Sequence, residues 1–419
     1  MTLLEYLINL IVIFVKIEIY LMIHRIILIG NGFDRAHQMK TTYTQFIDSY
    51  WEETLKSFWT SKNNNYSCNE FSVRKLSSQY PVTTYNEFIK YTKKNSGCLS
   101  VINSLLFDLS KVNAESWLDI EMNYYERLKY YAKNKENPDI EKLNQDFEGI
   151  KNLLEEYLTK QIIDKNQLDL FVTNNIQRAI REEINFKDIS EEGINKISNQ
   201  TWHSINGHIG YERPIEDYTL TLFEKDVFNK IEYDDYDQKD LTNFLSSHII
   251  QNDQIPLTFL TFNYTDTETI YKHEYDDVIH IHGELNNKSN PIIFGYGDEL
   301  DEDYRIIEKL NNNNLLDNIK SVDYSKTDNY KRLLNKLNSG FFQIYIMGHS
   351  CGNTDRTLLN TIFEHENCVS VKIFYHQESE NKDNYLDIYK NISRNFNNKA
   401  KLRDRVVNKA FSIPLVPIK

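Results

Sequence analysis

The chain has 419 residues, of which 40% are hydrophobic and 26% are charged, a composition typical of folded globular proteins and not of disordered ones. Its 48 Lys and Arg residues against 61 Asp and Glu residues give a net charge of −13, which excludes a generally basic surface for nucleic-acid binding. The four cysteines show no C-x-x-C spacing, which argues against zinc ribbons and thioredoxin-type redox sites. We expect reduced thiols and a cytoplasmic location.

Residues 1–29 are strongly apolar but match neither a membrane span nor a secretory signal well. The longest uncharged run is Tyr6–Val15, which is shorter than the ~20 residues that a membrane helix needs. No Lys or Arg precedes Lys16, and no Ala, Gly or Ser offers a cleavage site. A membrane-associating helix and a mis-called start at Met22 both remain open. We favour the second, with residues 1–21 as an extension and membrane binding unlikely.

The first glycine cluster follows a predicted strand. Ile26–Ile29 is a continuous apolar run, typical of a strand buried on both faces, and the tight turn Gly30-Asn31-Gly32-Phe33-Asp34 follows it. As a dinucleotide fingerprint Gly30-x-Gly32 is weak, because Arg35 replaces the third glycine of G-x-G-x-x-G. A ligand loop and a plain tight turn therefore both remain open.

Helical patterns follow this turn and continue far along the chain. Thr42-x-x-Gln45 resembles a capping box and predicts a helix from about Thr42. Residues 61–254 then carry long helical patterns such as Trp117–Tyr131 and Ile140–Ile163, separated by polar loops. We interpret residues 61–254 as a helical insertion that serves as a lid, a partner surface or a sensor.

Residues 255–380 return to strand patterns that are short and rich in β-branched or aromatic residues. The predicted strands are Leu257–Phe262, Val278–Ile281, Pro291–Phe294, Phe341–Met347 and Val369–Tyr375. Helices are expected after Thr265-x-x-Glu268, read as a capping box, and over Arg356–His365. The predicted fold class is α/β, a Rossmann-like doubly wound, mainly parallel sheet made of residues 22–60 and 255–380, with a large helical insertion and a C-terminal segment 381–419.

Ligands of such sheets lie beyond the carboxyl ends of the strands, so we expect the turns after these strands to form one site. Asn263 can position a water molecule through its carboxamide, and an Asx-turn is its structural alternative. His282 can act as a base near neutral pH, but His280 lies on the same predicted strand face and is an equal candidate. His280-x-His282 lacks a spaced third ligand, so no metal is expected.

Gly348-His349-Ser350-Cys351-Gly352 matches the G-x-S-x-G nucleophile elbow and lies between a predicted strand and helix. It raises the alternative of a serine hydrolase that uses Ser350. Asp and His partners follow in the required order, and the candidates are Asp355, Asp383, His365 and His376. Asp355 and His365 lie on the helix of the elbow itself, and no Gly-rich oxyanion loop precedes it, so the motif lacks its usual partners.

Taken together, these segments resemble the bacteriophage abortive infection AbiH family. The resemblance spans about Met22 to about His376 and is carried by Ile27–Asp34, Trp117-x-Asp119-x-Glu121, Thr261–Thr265, His280-x-His282-Gly283 and Gly348-His349-Ser350-x-x-x-x-Asp355. It implies an anti-phage defence protein that acts by abortive infection. A phage-derived trigger and a homo-oligomer are possible partners, and general nucleic-acid binding is not expected.

AbiH-like proteins are in turn distantly similar to SIR2-like NAD-binding domains, which implies roles for individual residues. Asn263 matches the catalytic Asn and His282 the catalytic His, although Asn263-Tyr264-Thr265-Asp266 departs from the Asn-Tyr-Asp of those domains. The resemblance implies binding of NAD or a related nucleotide and hydrolysis of its nicotinamide ribosyl bond, with phosphates on the backbone N–H groups of the first glycine turn. The alternative is a non-catalytic nucleotide-binding module. The implied contacts are Gly30, Asn31, Gly32, Phe33, Asp34, Thr261, Tyr264, Gly348, His349, Ser350 and Asp355.

Overall fold

The computed structural model describes residues 23–75, 81–111, 117–134, 139–162, 168–210, 249–250 and 255–418. The apolar segment 1–21 and the start expected at Met22 lie outside this set. Within it the chain is a mixed α/β protein built around a five-stranded parallel sheet. No helix in the described part of the chain has the length and apolar content to cross a membrane.

The strands of the parallel sheet are β1 (Ile23–Ile29), β2 (Leu257–Thr261), β3 (Asp277–His280), β4 (Phe341–Met347) and β5 (Cys368–Phe374), in the spatial order β5-β4-β1-β2-β3. Their registers pair Ile29 with both Thr261 and Met347, Thr261 with His280, and Met347 with Phe374. The carboxyl ends of all five strands are therefore level. Any residue that follows one of them lies close to the residues that follow its neighbours.

Pro291–Phe294 is not a strand, contrary to the expectation from its composition. Gly283 has a φ of +81°, and a Cβ on it would lie 2.1 Å from the carbonyl oxygen of Pro291, so the chain doubles back tightly here. Ile293 donates one backbone hydrogen bond to His282, but no ladder forms with the sheet. Proline lacks the N–H that a ladder needs, and apolar residues in this segment are buried without one.

The helices, in chain order, are α1 (Asn31–Ala36), α2 (Tyr43–Thr60), α3 (Tyr85–Lys94), α4 (Ser104–Leu109), α5 (Trp117–Lys133), α6 (Ile140–Thr159), α7 (Leu170–Ile180), α8 (Glu191–Gly210), α9 (Glu302–Lys309), α10 (Lys320–Asp323), α11 (Asn329–Asn338), α12 (Arg356–Phe363), α13 (Tyr385–Asn395) and α14 (Lys399–Arg405). Short 3-10 turns cover Phe186–Asp188, Thr267–Ile270, Asn313–Leu315, Tyr324–Lys326, Asn353–Asp355 and Lys409–Phe411.

The capping signals at two helix starts have different outcomes. Thr42 caps α2 as expected: its side chain accepts from the Gln45 N–H, and Gln45 accepts from the Thr42 N–H. Thr265 does not cap a helix. Only the 3-10 turn Thr267–Ile270 follows, because the Thr265 hydroxyl donates instead to the buried carboxylate of Asp34.

Both faces of the parallel sheet are covered, which explains the continuous apolar sequence of its strands. On one face Ile27, Ile29 and Tyr345 pack with residues of α7 and α8. On the other face Leu28 and Ile346 pack with residues of α11, α12 and α13. The sheet is therefore the middle layer of three.

A separate apolar core lies among α2–α6 and extends to Ile292, Phe294 and Ile319. This region is not wholly helical. It includes a three-stranded antiparallel sheet of Asn65–Ser67, Phe71–Arg74 and Leu99–Val101. The remaining short strand pairs are Ile184–Asn185 with Ile249–Ile250 and Gln377–Ser379 with Lys382–Asp383.

Replacement of Gly348 by alanine is expected to destabilise the fold strongly. Gly348 has a φ of +77°, and a Cβ there would lie 2.0 Å from the backbone nitrogen of Phe33. Gly97 is a matched control, since it has a φ of +79° and no atom within 4 Å of its added Cβ. Gly97→Ala should cost about 1–2 kcal/mol from the left-handed backbone alone. Thermal unfolding should show a clearly larger loss for Gly348→Ala, and equal losses would contradict the close approach.

Candidate functional site

A cavity of about 670 Å³ lies at the carboxyl ends of the parallel strands. Each of the turns that follow β1, β2, β3 and β4 contributes to its wall, through Gly30, Asn263, His282 and Ser350 respectively. The expected convergence of these distant segments is therefore observed. The other residues named from the sequence that line it are Asn31, Gly32, Asp34, Tyr264, Gly348, His349 and Asp355.

The floor of the cavity is a backbone contact between the turns after β1 and β4. A Cβ on Gly32 would lie 2.8 Å from the Cα of Gly348, and one on Gly30 would lie 2.6 Å from the Cα of His349. The Gly32 N–H donates to the Gly348 carbonyl over 2.8 Å, and the Gly30 N–H donates to Met347. The glycines therefore let two turns meet. These two amides are already bonded, so they do not fit the expected role of holding phosphates.

Phe33 and Thr261 support the site and do not line it. Phe33 is buried within α1 and packs edge-on against Tyr271, with ring centroids 5.5 Å apart. The Thr261 hydroxyl is buried at the end of β2 and accepts a hydrogen bond from the Asn263 backbone N–H over 3.1 Å. Both act through their neighbours, which corrects the expectation that they contact a ligand.

Asn263 is fixed by two hydrogen bonds, one from its backbone N–H and one from its side chain. Besides the bond to Thr261, its Nδ2 donates to the Gly30 carbonyl over 3.1 Å. This bond joins the turns after β1 and β2. With Nδ2 engaged, the carboxamide oxygen is the atom left to accept a hydrogen bond from a water or hydroxyl group in the cavity.

Asp34 is a buried carboxylate with one satisfied oxygen. Its side chain is on α1, Oδ2 accepts from the Thr265 hydroxyl over 2.7 Å, and Oδ1 has no hydrogen-bond partner among the described residues. Burial raises the pKa of Asp34 to about 6, against the opposing hydrogen bond of Thr265. An unpartnered carboxylate oxygen on a cavity wall can accept from a hydroxyl of a bound molecule.

The deepest part of the wall is a network of charged side chains around Lys320. The Lys320 Nζ lies 2.9 Å from Glu121 Oε1 and 2.8 Å from Asp355 Oδ1, and Asp355 Oδ1 lies 3.2 Å from His282 Nε2. All four side chains are buried. The network joins α5, α10, the turn after β3 and the 3-10 turn before α12, so four segments meet at one ammonium group.

The charges of this network follow from its geometry. Burial disfavours ionisation of Asp355, but the Lys320 ammonium and the contact with His282 outweigh it and hold the pKa of Asp355 well below its usual range. Burial opposes the charge on Lys320, yet Asp355 and Glu121 raise its pKa. Burial raises the pKa of Glu121. Glu121 is therefore the weaker acid of the two carboxyl groups.

His282 is the histidine of the site, and His280 is not. His280 Nε2 lies 3.1 Å from Glu268 and 3.3 Å from Glu284, away from the cavity wall, because the strand ends at His280 and the chain turns before His282. Burial and the nearby Lys320 lower the pKa of His282, so its imidazole is neutral at pH 7. With Nε2–H assigned to donate to the ionised Asp355, Nδ1 is the basic nitrogen.

His349 and two aromatic residues complete the wall around His282. His349 Nδ1 accepts from the Cys351 N–H over 3.0 Å, and its Nε2 lies 3.7 Å from Asp355 Oδ2. Phe262 packs on the rings of both histidines, and its ring centroid lies 4.2 Å from that of His349 and 5.0 Å from that of His282. Tyr324 Oη lies 3.3 Å from His282 Nε2. These contacts restrict the rotation of both imidazoles.

Ser350 is exposed on the cavity, but no catalytic triad surrounds it. Among the described residues no histidine nitrogen hydrogen-bonds its hydroxyl; Asp355 is bonded to Lys320, and Asp383 to Lys409. The positive φ of a nucleophile elbow falls on the next residue, Cys351, which is buried and whose pKa burial raises. The elbow sequence therefore forms a tight turn without the partners of a serine hydrolase.

No group of three or more His, Cys, Asp or Glu side chains in the described ranges has the arrangement of a metal site. Sequence reasoning assigned no site role to Glu121 and Lys320, and it assigned Thr265 a helix cap in place of its contact with Asp34. Glu121 carried a signal, since it is a charged residue within a quoted family segment and on an amphipathic helix. Lys320 carried none, because it lies in no motif that the sequence singled out.

Fold and site together define an α/β protein with a cavity beyond the ends of a parallel sheet, whose wall includes buried charged side chains. The family model described as "Bacteriophage abortive infection AbiH" matches residues 26–377. The chain therefore belongs to the AbiH family, as its sequence segments indicated. No curated protein and no solved structure matches it significantly. The similarity to SIR2-like domains stays a prediction.

Replacement of Lys320 by methionine should destabilise the protein in a pH-dependent manner. Loss of one partner of a buried ion pair costs about 3–5 kcal/mol. Without the ammonium, Glu121 and Asp355 should have folded-state pKa values above their unfolded values, so the folded state binds more protons and stability falls as pH rises above about 4.

Thermal unfolding of Lys320→Met between pH 5 and pH 8 measures this effect. The midpoint should be lower at pH 8, and the second substitution Glu121→Gln should recover part of the loss because it removes one carboxylate. A pH dependence like that of the parent, or no recovery in the double variant, would contradict the network as described.

Asp34→Asn should stabilise the protein above pH 6. The folded-state pKa of about 6 exceeds the usual value of 3.8, so the folded state binds more protons and parental stability falls as pH rises between these values. The variant does not lose stability in this way, because its carboxamide does not ionise. Its unfolding midpoint should exceed that of the parent at pH 8, and the difference should vanish near pH 4; a variant less stable at pH 8 would contradict the burial of an ionised Asp34.

Proposed function

We propose that this chain is an anti-phage defence protein of abortive infection that binds NAD or a related nucleotide in the cavity and hydrolyses its nicotinamide ribosyl bond. The observation that carries the proposal is the convergence of Asn263, His282 and buried carboxyl groups on one cavity of about 670 Å³. Family membership supports the defence role. The proposed chemistry depends on the cavity.

The sheet supports a Rossmann-like interpretation of the fold. Its order β3-β2-β1-β4-β5 is the order of doubly wound dinucleotide-binding sheets. The chain builds outwards from β1 to one side through β2 and β3, and then to the other side through β4 and β5. Ligands of such sheets bind at the point where this direction reverses. That point is the gap between β1 and β4, where the turns of Gly30 and Gly348 meet beside the cavity.

The charge of the cavity wall suits cleavage of this bond. The nicotinamide ring of NAD carries a positive charge, and positive charge develops on the ribose as the bond breaks. Three carboxyl groups, those of Asp34, Glu121 and Asp355, line the cavity, whereas the buried Lys320 is shared between two of them. Fixed negative groups in a water-poor site favour such a transition state.

In the proposed reaction a water oxygen bonds to the ribose C1′ carbon, and the bond from C1′ to the nicotinamide nitrogen breaks. The bonding pair leaves with nicotinamide, which becomes neutral. Nδ1 of His282 accepts the proton of the water, while Asp355 holds the imidazole through Nε2. The Asn263 carboxamide oxygen accepts from the water or a ribose hydroxyl, and Asp34 Oδ1 accepts from another hydroxyl.

The proposal includes activation by a phage-derived trigger that acts on the region of α3–α6. Glu121 lies on α5 of this region, and its carboxylate contacts Lys320 beside the site. A movement of α5 would therefore change the charge balance at Asp355 and His282. This contact gives a physical connection between the helical region and the proposed chemistry.

The proposal predicts that the protein releases nicotinamide from NAD and that Asn263→Ala and His282→Ala each lose this activity by about 100-fold or more, since general base catalysis contributes about 10²–10⁴-fold. Products are followed by mass spectrometry, with phage-infected cells as the source of any trigger. The matched control is His273→Ala, an exposed histidine outside the cavity, which should keep parental activity.

Three other results would contradict the proposal. If both site variants protect cells as well as the parent, the proposed mechanism is wrong. Binding of NAD without any product, before and after infection, would identify a non-catalytic nucleotide-binding module. Labelling by a fluorophosphonate probe that Ser350→Ala abolishes would identify a serine hydrolase.

A further inference from the structure

Two Arg or Lys side chains are found among the described residues that line the cavity, Arg35 and Lys320. Lys320 is buried, and its ammonium lies against two carboxylates. Arg35 is exposed and forms no ion pair with any described residue. Arg35 is thus the cation of the wall that is available to an anionic ligand.

Backbone groups near Arg35 offer little competition for this role. The N–H groups of Gly30, Gly32 and Phe33 donate to the carbonyls of Met347, Gly348 and Gly30. Neighbouring side chains add no second cation, since the other lining residues between Gly30 and Tyr43 are Asn31, Gly32, Asp34, Ala36, Thr41 and Thr42. An anion on this side of the cavity would therefore meet the Arg35 guanidinium first.

Arg35 and Asp34 are neighbours in α1 but differ sharply in environment. Asp34 is 2% exposed and lies beside Thr265 and Asn263, whereas Arg35 is exposed to solvent. Two consecutive residues therefore give the wall a buried carboxylate, which can accept a hydrogen bond from a hydroxyl group, and a guanidinium that is exposed to solvent. A ribose joined to a phosphate presents the complementary groups in the same order, hydroxyls and then anionic oxygens.

We propose that Arg35 is the residue that binds the phosphates of the nucleotide and so sets its orientation. This inference rests on the proposed function and adds a specificity determinant to it. A guanidinium pairs with phosphate oxygens through two parallel N–H bonds, which fixes direction as well as distance. The phosphates then lie at the solvent side, and the ribose C1′ carbon enters towards Asn263 and His282.

The test compares a phosphate-bearing ligand with one that lacks phosphate. Binding of NAD and of nicotinamide riboside is measured by calorimetry for the parent, Arg35→Gln and Arg35→Lys, and KM is measured wherever turnover occurs. Arg35→Gln should weaken NAD binding by about 10- to 100-fold and leave nicotinamide riboside binding unchanged, because a hydrogen bond to a charged group is lost only for NAD. Arg35→Lys should recover part of the loss.

Lys40→Gln is the matched control, since it removes the same charge from an exposed residue nearby that does not line the cavity. It should bind NAD as the parent does. Equal weakening of both ligands, or no weakening, in Arg35→Gln would overturn the role of Arg35. Selective weakening of NAD in a protein that never releases nicotinamide would support Arg35 while refuting the hydrolysis. A parent that binds neither ligand would overturn both.

Discussion

The structure depends on a single constraint, the backbone contact between the turn after β1 and the turn after β4. Gly30 and Gly32 on one side and Gly348 on the other leave no room for side chains, so the two turns touch through backbone atoms. Because the strand ends are level, this contact also places the turns of Asn263 and His282 against the same space. The cavity is a consequence of the sheet register together with the absence of three side chains.

The charged network gives that cavity its chemical character. One ammonium between two carboxylates leaves the group negative overall when both carboxyl groups are ionised and the imidazole is neutral. Because of this negative charge, the inner part of the cavity favours cationic or polar groups over free phosphates. The outer part of the wall carries the opposite charge, because the Arg35 guanidinium is positive and faces solvent. The ligand that we propose, NAD, has a cationic nicotinamide ring and an anionic diphosphate and so matches such a division.

The sequence predicted most of the sheet because its strands are buried on both faces and read as continuous apolar runs. Ile26–Ile29 is predicted in this way, Phe341–Met347 from its β-branched and aromatic residues, and the cap at Thr42 from the spacing of Thr42 and Gln45. The expectation failed at Pro291–Phe294 and Thr265, where a tight chain reversal and a bond to a buried Asp34 overrode local preference. Lys320 could not have been found, because its importance comes from partners about 35 and 199 positions away in the chain.

The contacts of Lys320 with Glu121 and with Asp355 join the helical core to the core beside the sheet through one buried salt-bridge network. A chimaera that takes the helical region from one protein and the sheet from another would need to keep both partners of this bridge. A buried charge without its partner destabilises the fold. The residue at position 121 of the helical region is therefore constrained by Lys320 and Asp355 beside the sheet. Substitutions on surfaces of the same region that are remote from α5 leave this network intact.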